Sequence, residues 1–416
     1  MRSRSGSCSS MSSTTPPTIA PIVINEALTR TENPPPTDSI ELFNPTASSV
    51  NIGGWFLSDD LNTPRKFRIP DDTTIEAGGH LVFTETQFNP GGTNFALSAD
   101  GDEVWLFSAS AGGDLTGYLH GFRFGAAENG VSFGRVVTSD GREHFVAQIA
   151  LSPEAPNSGA RVGPVVITEL MYHPPDSGTN DNTGDEFVEL QNITTNALPL
   201  FDANRPTNTW RVTGGIDFVF PTNVIVASDE FVLLVNFAPT NTTQLDAFRA
   251  RYGIAPGVRI FGPYGGKLNN DQDVVELRKP TLLYGTNLAH VLMDSVEFED
   301  AMPWPTGADG WGLSLQRRSS LAFGNEPTNW VAAPPTAAAP TAVGATPQII
   351  TQPAGQTLLA FNPVTLNVIA SGTPPLKYQW KHNGSTLPEA TNSTLFFASL
   401  APEQTGDYQV VVFNAA

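Results

Sequence analysis

Residues 38–44, Asp38-Ser39-Ile40-Glu41-Leu42-Phe43-Asn44, form the stretch that decides the fold, because their apolar core and polar ends are typical of a short framework strand. The stretch recurs, altered, as Glu186-Phe187-Val188-Glu189-Leu190-Gln191-Asn192. Each copy follows an apolar strand that ends in glutamate, at Ile22–Glu26 and again at Val165–Glu169. The recurrence predicts a domain that is built twice.

Further landmarks repeat in the same order. Trp55, Phe67–Pro70 and His80–Thr84 in the first copy correspond to Trp210, Ile216–Pro221 and Phe231–Val235 in the second. The copies also end alike, with Val131-Ser132-Phe133-Gly134-Arg135 against Leu313-Ser314-Leu315-Gln316-Arg317. The apolar segments between these landmarks are short and are separated by Gly, Pro and Asp turns. Such a pattern predicts an all-β chain of tandem β-sandwiches.

Composition and charge limit the function classes. The 416 residues are 40% hydrophobic and 15% charged, with 37 Gly and 35 Pro, which is typical of folded, turn-rich domains rather than of disorder. A net charge of −19 repels phosphate backbones, so no nucleic-acid partner is expected. The only cysteine, Cys8, excludes disulfides within the chain and any cysteine-based zinc site.

The chain is predicted to have five parts. Residues 1–18 are a Ser/Thr/Pro-rich, disordered leader without the apolar region of a usable signal peptide, and no apolar run is long enough for a membrane span. The first copy covers residues 19–158 and the second covers 162–332. Within the second copy, Thr243–Gly253 has Leu245, Phe248 and Tyr252 at helical spacing, which predicts a short helix packed on the sheet. An Ala/Pro/Thr linker (333–346) and a third β-domain (347–416) follow.

The third domain resembles an immunoglobulin-like domain. Val364, Leu366, Val368 and Ala370 alternate before Gly372, Tyr378-Gln379-Trp380 matches the strand with the buried tryptophan, and Thr405–Val410 matches the tyrosine corner. In that pattern Val368 and Val410 stand where the disulfide cysteines usually lie. The sequence stops at Asn414-Ala415-Ala416, so we expect this domain to be C-terminally truncated, as in a fragment of a longer protein.

The first two domains resemble the bacterial lamin-tail domain, an immunoglobulin-like sandwich. The resemblance depends on the two framework strands and Trp55, and in the second copy on Gly214–Phe218, Gly265–Asn270, Trp304-Pro305 and Asp309–Leu315. The second copy is similar to the variety found beside spore-coat-protein-H-like kinase domains. The first copy lacks the Gly-Gly-Ile-Asp-Phe and Trp-Pro elements. The resemblance implies interaction with proteins, polysaccharide or envelope components. Animal relatives contact nucleic acid, which the charge of this chain opposes.

The sequence disfavours a catalytic function. The pairs Glu26/Glu41 and Glu169/Glu189 could serve acid–base chemistry, but carboxylates within strands more often accept backbone N–H groups from a neighbouring loop. The histidines are scattered, and no Gly-x-Ser-x-Gly motif accompanies them. His173 has no paired ligand in sequence, which disfavours a metal role. We therefore predict no catalytic residues and no cofactor.

Two weaker binding hypotheses remain open at this point. Asp100 and Asp102, and at equivalent places Asp271 and Asp273, could supply calcium ligands, although the full calcium-loop pattern is absent and ordinary hairpin turns are favoured. Trp304, Trp311 and Trp330 could form an exposed platform for a carbohydrate, although core packing is the more common use of tryptophan.

The sequence thus predicts a non-enzymatic, secreted or cell-surface bacterial protein. Its modules would bind a protein or polysaccharide of unknown identity or act as a scaffold. Two alternatives are an accessory region of a larger secreted enzyme (a kinase-like protein, nuclease or hydrolase) and a carbohydrate-binding module. We expect the ligand to contact the parts that differ between the copies, namely the inserted helix and the tryptophan-rich end of the second copy.

Overall fold

The computed structural model describes residues 19–31, 38–92, 94–285, 287–339, 347–371, 376–388 and 390–413. The leader with Cys8, residues 340–346 of the linker, Gly372 and the chain end Asn414–Ala416 lie outside these residues. The described residues belong to two compact units. One comprises residues up to Val137 with Gly141–Arg161 and Thr281–Val291, and the other comprises Thr138–Asp140, Val162–Pro280 and the residues from Leu292 onward.

The regular elements of the first copy are almost all strands. Its elements in chain order are β1 Val23–Leu28, β2 Ser39–Phe43, β3 Val50–Asn51, β4 Phe56–Ser58, β5 Phe67–Arg68, β6 Thr74–Ile75, β7 His80–Thr84, α1 Glu85–Phe88, β8 Gly101–Ala109, β9 Leu115–Gly125, β10 Phe133–Val137 and β11 Glu143–Ala147.

Two antiparallel sheets enclose the core of the first copy. One has the order β11-β10-β1-β2-β7 and the other has the order β5-β4-β8-β9. Inward residues of both sheets meet in one apolar cluster, which includes Ile24, Ile40 and Leu42 from the first sheet and Leu57 and Leu106 from the second. The short apolar segments separated by turns therefore form a β-sandwich, as the sequence predicts.

The second copy has more elements than the first. They are β12 Val165–Met171, β13 Phe187–Asn192, β14 Leu198–Pro199, β15 Phe201–Asp202, β16 Arg205–Thr209, β17 Arg211–Gly214, β18 Ile216–Val219, β19 Ile225–Val226, β20 Phe231–Val235, α2 Thr242–Tyr252, β21 Arg259–Phe261, β22 Gly265–Gly266, β23 Gln272–Leu283, β24 Asn287–Glu299, β25 Ser314–Arg317 and β26 Trp330–Ala333.

The sheet orders show that the second copy repeats the first. Its sheets run β26-β25-β12-β13-β20-β21 and β22-β18-β17-β23-β24. Apart from the added edge strands β21 and β22, these are the orders of the first copy. The pairing register also agrees, because Glu26 lies opposite Gly134 on β10 and Glu169 lies opposite Gln316 on β25. The predicted duplication is therefore visible in topology as well as in sequence.

The inserted helix forms within one residue of its predicted bounds. The Asn241 side chain accepts the N–H of Gln244 at its start, and Gly253 ends it in the left-handed conformation (φ 65°), with its N–H donated to the Arg249 carbonyl. Phe248 is buried against Phe187 and Leu233 of the sheet. The apolar side of the helix is thus covered by the sandwich, as predicted. In the part of the chain that the structure describes, no helix has the length and apolar character needed to cross a bilayer.

The third domain contains β27 Gln348–Thr351, β28 Val364–Asn367, β29 Ile369–Ser371, β30 Lys377–His382, β31 Ser385–Thr386, β32 Thr394–Phe397 and β33 Tyr408–Phe413. Trp380 is fully buried and packs with Val368 and Val410, at the positions where the resemblance places cysteines. The Tyr408 hydroxyl donates to the Gln404 carbonyl at 2.8 Å, which is the bond expected of a tyrosine corner.

Candidate functional site

Each copy places two glutamates directly opposite each other on neighbouring strands. Glu26 faces Glu41 across β1 and β2, and Glu169 faces Glu189 across β12 and β13. None of the four residues is more than 2% exposed. Two buried carboxylates side by side are costly unless hydrogen-bond donors or protons compensate them, so their partners decide what the pair can do.

In the first copy a segment beyond the last strand supplies those donors. Glu26 accepts the N–H of Ser152 at 3.1 Å and the hydroxyl of Ser132 at 2.6 Å. Glu41 accepts the N–H of Glu154 at 2.5 Å. We call residues 152–154 the first strap, and the glutamate pair together with its strap a clasp.

The second copy repeats this clasp with different residues. Glu169 accepts the N–H of Thr336 at 3.1 Å and the hydroxyl of Ser314 at 2.5 Å. Glu189 accepts the N–H of Ala338. Residues 336–338 are therefore a second strap. The sequence predicted that a linker begins at residue 333, and the structure corrects this boundary. Strand β26 continues to Ala333, and residues 336–338 are bound to the sandwich because the buried carboxylates need their backbone donors.

Burial raises the pKa of three clasp acids, Glu41, Glu169 and Glu189. Desolvation raises the pKa of Glu169 to about 7. Desolvation, followed by the charge of the neighbouring Glu169, raises the pKa of Glu189 to about 8. Burial also raises the pKa of Glu41. All four carboxylates are buried, and their oxygens already bind the straps. This arrangement suits holding the end of the domain rather than reacting with a substrate.

Both straps contain a residue in the left-handed conformation, Glu154 at φ 60° and Ala338 at φ 67°. Since a Cβ atom disfavours that conformation, Ala338→Gly is expected to stabilise the second copy by about 0.5–1 kcal/mol, net of the entropy that glycine adds to the unfolded chain. Urea unfolding followed by peptide-resolved hydrogen exchange measures the change. Ala339→Gly, next to it without a positive φ, is the control and should be destabilising. Equal effects of the two changes would contradict the strain argument.

A buried asparagine ends the framework strand of each copy. The Asn44 amide donates to the carbonyls of Ser48, Ile75 and Glu76 at 2.8–3.0 Å, and its oxygen accepts the N–H and hydroxyl of Thr46. Asn192 makes the same set of bonds, to Asn196, Val226, Ala227 and Thr194. The last residue of the repeated stretch thus joins two loops to the sheet.

A β-bulge interrupts the pairing of β1 with β2 between Ile24 and Glu26, and that of β12 with β13 between Ile167 and Glu169. The N–H group before each bulge has a side-chain acceptor, and the copies supply it differently. In the first copy the Ile24 N–H donates to His120 Nδ1 at 2.9 Å. Because Nδ1 accepts, Nε2 carries the hydrogen and donates to Glu143 at 2.9 Å. In the second copy the Ile167 N–H donates to Asp294 at 2.8 Å. One structural requirement is therefore met by a neutral histidine in one copy and by a carboxylate in the other.

The acidic turns that were candidate calcium sites have matching hydrogen bonds. Asp102 accepts the N–H groups of Ser98 and Glu103 at 2.7 and 2.9 Å. Asp273 accepts those of Asn269 and Val274 at 3.0 and 2.8 Å. Asp271 accepts the N–H of Gln272, and Asp100 precedes β8 in its turn. Among the described residues no three acidic, histidine or cysteine side chains are grouped so that they could hold a metal ion.

The three tryptophans do not form one platform. Trp304 is 1% exposed and Trp330 is 2% exposed, with their rings 6.2 Å apart inside the second copy. The Trp330 indole donates to the Gly324 carbonyl at 2.7 Å. These two rings fill the interior, because burying their large apolar area stabilises the fold more than exposing it would. Trp311 alone is exposed, at 80%.

The backbone around Trp311 is held in place. Gly310 donates its N–H to the His173 carbonyl at 3.1 Å, and His173 and Asp309 form a parallel bridge. The side chain of Asp309 also bonds His173 Nδ1. Gly310 and Gly312 both have positive φ, and a Cβ at Gly310 would lie 3.2 Å from the His173 ring. We call residues 309–312 the Trp311 turn.

Polar groups surround the Trp311 turn. Asp176 lies 3.8 Å from His173 Nε2, and Lys267 pairs with Asp181 at 2.8 Å. Tyr172, which is buried, has a hydroxyl without a hydrogen-bond partner among the described residues. Burial, followed by the charges of Asp309 and Asp300, raises the pKa of that hydroxyl. The end of the second copy therefore combines an exposed indole ring, acidic side chains and an unsatisfied buried hydroxyl.

Sequence reasoning missed two buried acids and one ion pair. Asp38 and Glu186 open the repeated stretch and accept the N–H groups of Leu97 and Leu268. Burial raises the pKa of each to about 7. Both acids stand at the first position of the repeated stretch, and this recurrence could have predicted their structural role. Asp294 and Arg317 pair inside the second copy, and nothing in their spacing of 23 residues indicates this contact.

Comparison with known families agrees with this geometry. Residues 15–119 match the family model of the Lamin Tail Domain, and residues 346–414 match that of the Immunoglobulin domain. The chain carries a lamin-tail domain and an immunoglobulin domain. Between them, the second copy repeats the sheet order, the clasp and the buried asparagine of the lamin-tail domain. Such domains fit a modular binding or scaffold role, while the fold alone does not specify a ligand.

Three solved structures show a low similarity to this chain. A DUF4876 family protein from Bacteroides thetaiotaomicron has 12% identity, with 52% of this chain and 83% of that chain covered and a TM-score of 0.28. Extracellular domains 3–5 of Drosophila OTK have 11% identity, coverage of 95% and 93%, and a TM-score of 0.20. A Dscam structure concerned with isoform specificity has 11% identity, coverage of 94% and 69%, and a TM-score of 0.19.

Proposed function

We propose that this chain is a non-catalytic, modular binding or scaffold protein of the bacterial cell surface or exterior, and that it contacts a protein or polysaccharide ligand through the Trp311 turn. The observation that carries the proposal is an indole ring that is 80% exposed on a turn fixed by its backbone. Binding residues lie disproportionately on loops held by a rigid scaffold, and tryptophan is enriched at interfaces, which supports a recognition role for this turn.

The paired acids support a binding role over a catalytic one. The residues most suited to acid–base chemistry, Glu26 with Glu41 and Glu169 with Glu189, are buried and bound to the straps. The Trp311 turn, in contrast, belongs to the part of the second copy that the first copy lacks. We therefore assign the repeated strands and clasps to the framework. The recognition surface is the end of the second copy that differs from the first and exposes the Trp311 ring.

Arrays of defined oligosaccharides and defined peptides test the proposal. Trp311→Ala is expected to weaken binding to any recognised ligand at least about twofold, since an aromatic side chain that contacts a ligand contributes about 0.5 kcal/mol or more. Leu321→Ala, which truncates another exposed apolar side chain of the second copy, should leave binding unchanged. Hydrogen exchange would establish that both variants fold. Equal binding by the wild type and Trp311→Ala to every recognised ligand would reject the Trp311 turn as the contact.

A further inference from the structure

We propose that the Trp311 turn recognises a cationic side chain, lysine or arginine, in an exposed segment of a protein partner. The inference rests on the proposed function, because it names the ligand of the same turn. It follows from the exposed ring itself and from the charges on the Trp311 turn and on the loop that contacts it.

The ring is suited to bind a cation. Tryptophan has the most electron-rich face of the aromatic side chains, and a lysine or arginine over that face gains about 0.5–2 kcal/mol. Trp311 is flanked by Gly310 and Gly312, so no neighbouring side chain in the turn covers the indole. Both glycines have positive φ, 72° and 78°, which other residues rarely adopt. The turn therefore presents an open ring on a backbone that tolerates little change.

Carboxylates lie on the Trp311 turn and on the loop that contacts it. Asp309 is two residues before Trp311, with 36% of its side chain exposed, and Asp176 has 53% exposed. Asp176 follows Pro175, whose ring would be 3.4 Å from a Cβ at Gly312, so the two loops are in contact. A cation over the indole would therefore approach acidic side chains on both loops. An aromatic face with adjacent carboxylates favours an ammonium or guanidinium group over a neutral or anionic one.

The charge balance around the turn is negative. Its named ionisable groups are the cationic Lys267, the titratable His173 and the acids Asp176, Asp181, Asp300 and Asp309. Lys267 pairs with Asp181, and this contact is the first cause of the lowered pKa of Asp181. The chain as a whole has a net charge of −19. The long-range field therefore attracts basic partners and repels acidic polysaccharides, which share the sign of the protein.

Tyr172, the residue before His173, carries a buried hydroxyl on which the acids of this region act. Its side chain is buried, its hydroxyl has no partner among the described residues, and the charges of Asp309 and Asp300 act on it. An unmade hydrogen bond at a buried hydroxyl costs about 1–3 kcal/mol. After burial, the charges of Asp309 and Asp300 raise the pKa of this hydroxyl, so the negative charge of the turn acts on the residue beside His173.

The test uses the full chain and three acetylated, amidated hexapeptides of alternating glycine and lysine, glutamine or glutamate, with maltohexaose as a neutral sugar. We expect calorimetry to show binding of the lysine peptide, weaker or no binding of the others, and a loss of about 2- to 30-fold in Trp311→Ala. Trp311→Phe should retain part of the affinity. Asp176→Asn should weaken binding, whereas Asp229→Asn, at the opposite end of the sheet, should not.

Three results would overturn the inference, and they differ in what they leave standing. If the wild type and Trp311→Ala bound the lysine peptide with equal affinity, the peptide would be attracted by the net negative charge of the protein and not by the indole ring. Trp311-dependent binding of maltohexaose without binding of the lysine peptide would remove the cationic ligand but keep the proposed function. Absence of Trp311-dependent binding for every peptide and sugar, here and on the arrays, would remove both. Hydrogen exchange of each variant guards against reading misfolding as lost recognition.

Discussion

Arg317→Leu is expected to destabilise the second copy by about 3–5 kcal/mol, the cost of removing one member of a buried ion pair. Arg317 and Asp294 are 0% and 4% exposed, and their side chains are 2.6 Å apart. The same guanidinium donates to the carbonyl of Ile167 at 2.9 Å, while Asp294 accepts the N–H of that residue. Leucine would leave a buried carboxylate without its cation and would remove one partner from the bulged strand.

The first copy offers a matched control. Arg135 occupies the place of Arg317 and bonds Glu143 at 2.6 Å, but the two side chains are 22% and 33% exposed. Water can solvate Glu143 when its partner is lost, so Arg135→Leu should cost less than about 1 kcal/mol. Urea unfolding with peptide-resolved hydrogen exchange reports each copy separately. Similar losses in the two copies, or a loss below 1 kcal/mol for Arg317→Leu, would show that burial does not govern this pair.

The framework strands could be predicted from sequence because one structural requirement recurs there. Glu41 and Glu189 occupy the same position in both copies, and a residue that returns at a fixed place in a repeat usually serves the fold. Their role as acceptors of loop N–H groups is confirmed. The helix at Thr242–Tyr252 was predictable for a similar reason, since its apolar spacing and Gly253 are local signals.

The straps and the tryptophans show where local signals fail. Thr336 and Ala338 lie in a charge-free Ala/Pro/Thr run, and only the distant Glu169 and Glu189 make them part of the sandwich. Trp304 and Trp330 cannot be told from Trp311 by residue type. Their burial depends on which loops cover the end of the sheet, and this is decided by contacts that are remote in sequence. The sequence therefore predicted a platform of three tryptophans at this end of the second copy, whereas only Trp311 of the three is exposed.

The stability of the second copy is expected to fall as pH rises from about 5 to about 8.5. Burial raises the pKa of Glu169 to about 7 and of Glu189 to about 8, from an ordinary value of 4.5. Within that window the folded state holds protons that the unfolded chain has released. The stabilisation is therefore complete below about pH 4.5 and is lost as pH rises through the folded-state values, at roughly 1.4 kcal/mol per pKa unit. The pKa values of Asp181 and Glu326 are lowered, so these two groups add stability that is lost as pH falls below this window.

Glu189→Gln separates the charge from the hydrogen bonds. The amide oxygen can accept the Ala338 N–H and the amide nitrogen can donate to the Thr168 hydroxyl, so the clasp stays closed without a carboxylate at this position. We expect this variant to lose much of the pH dependence and to exceed the wild type in stability at pH 8.5. Glu189→Ala, which has no acceptor, should be less stable than the wild type at pH 5. Urea midpoints at both pH values, resolved by hydrogen exchange, measure these differences. If the wild type were instead more stable at pH 8.5, the clasp carboxylates would have to be ionised in the folded protein, and their burial would need compensation from donors other than the straps.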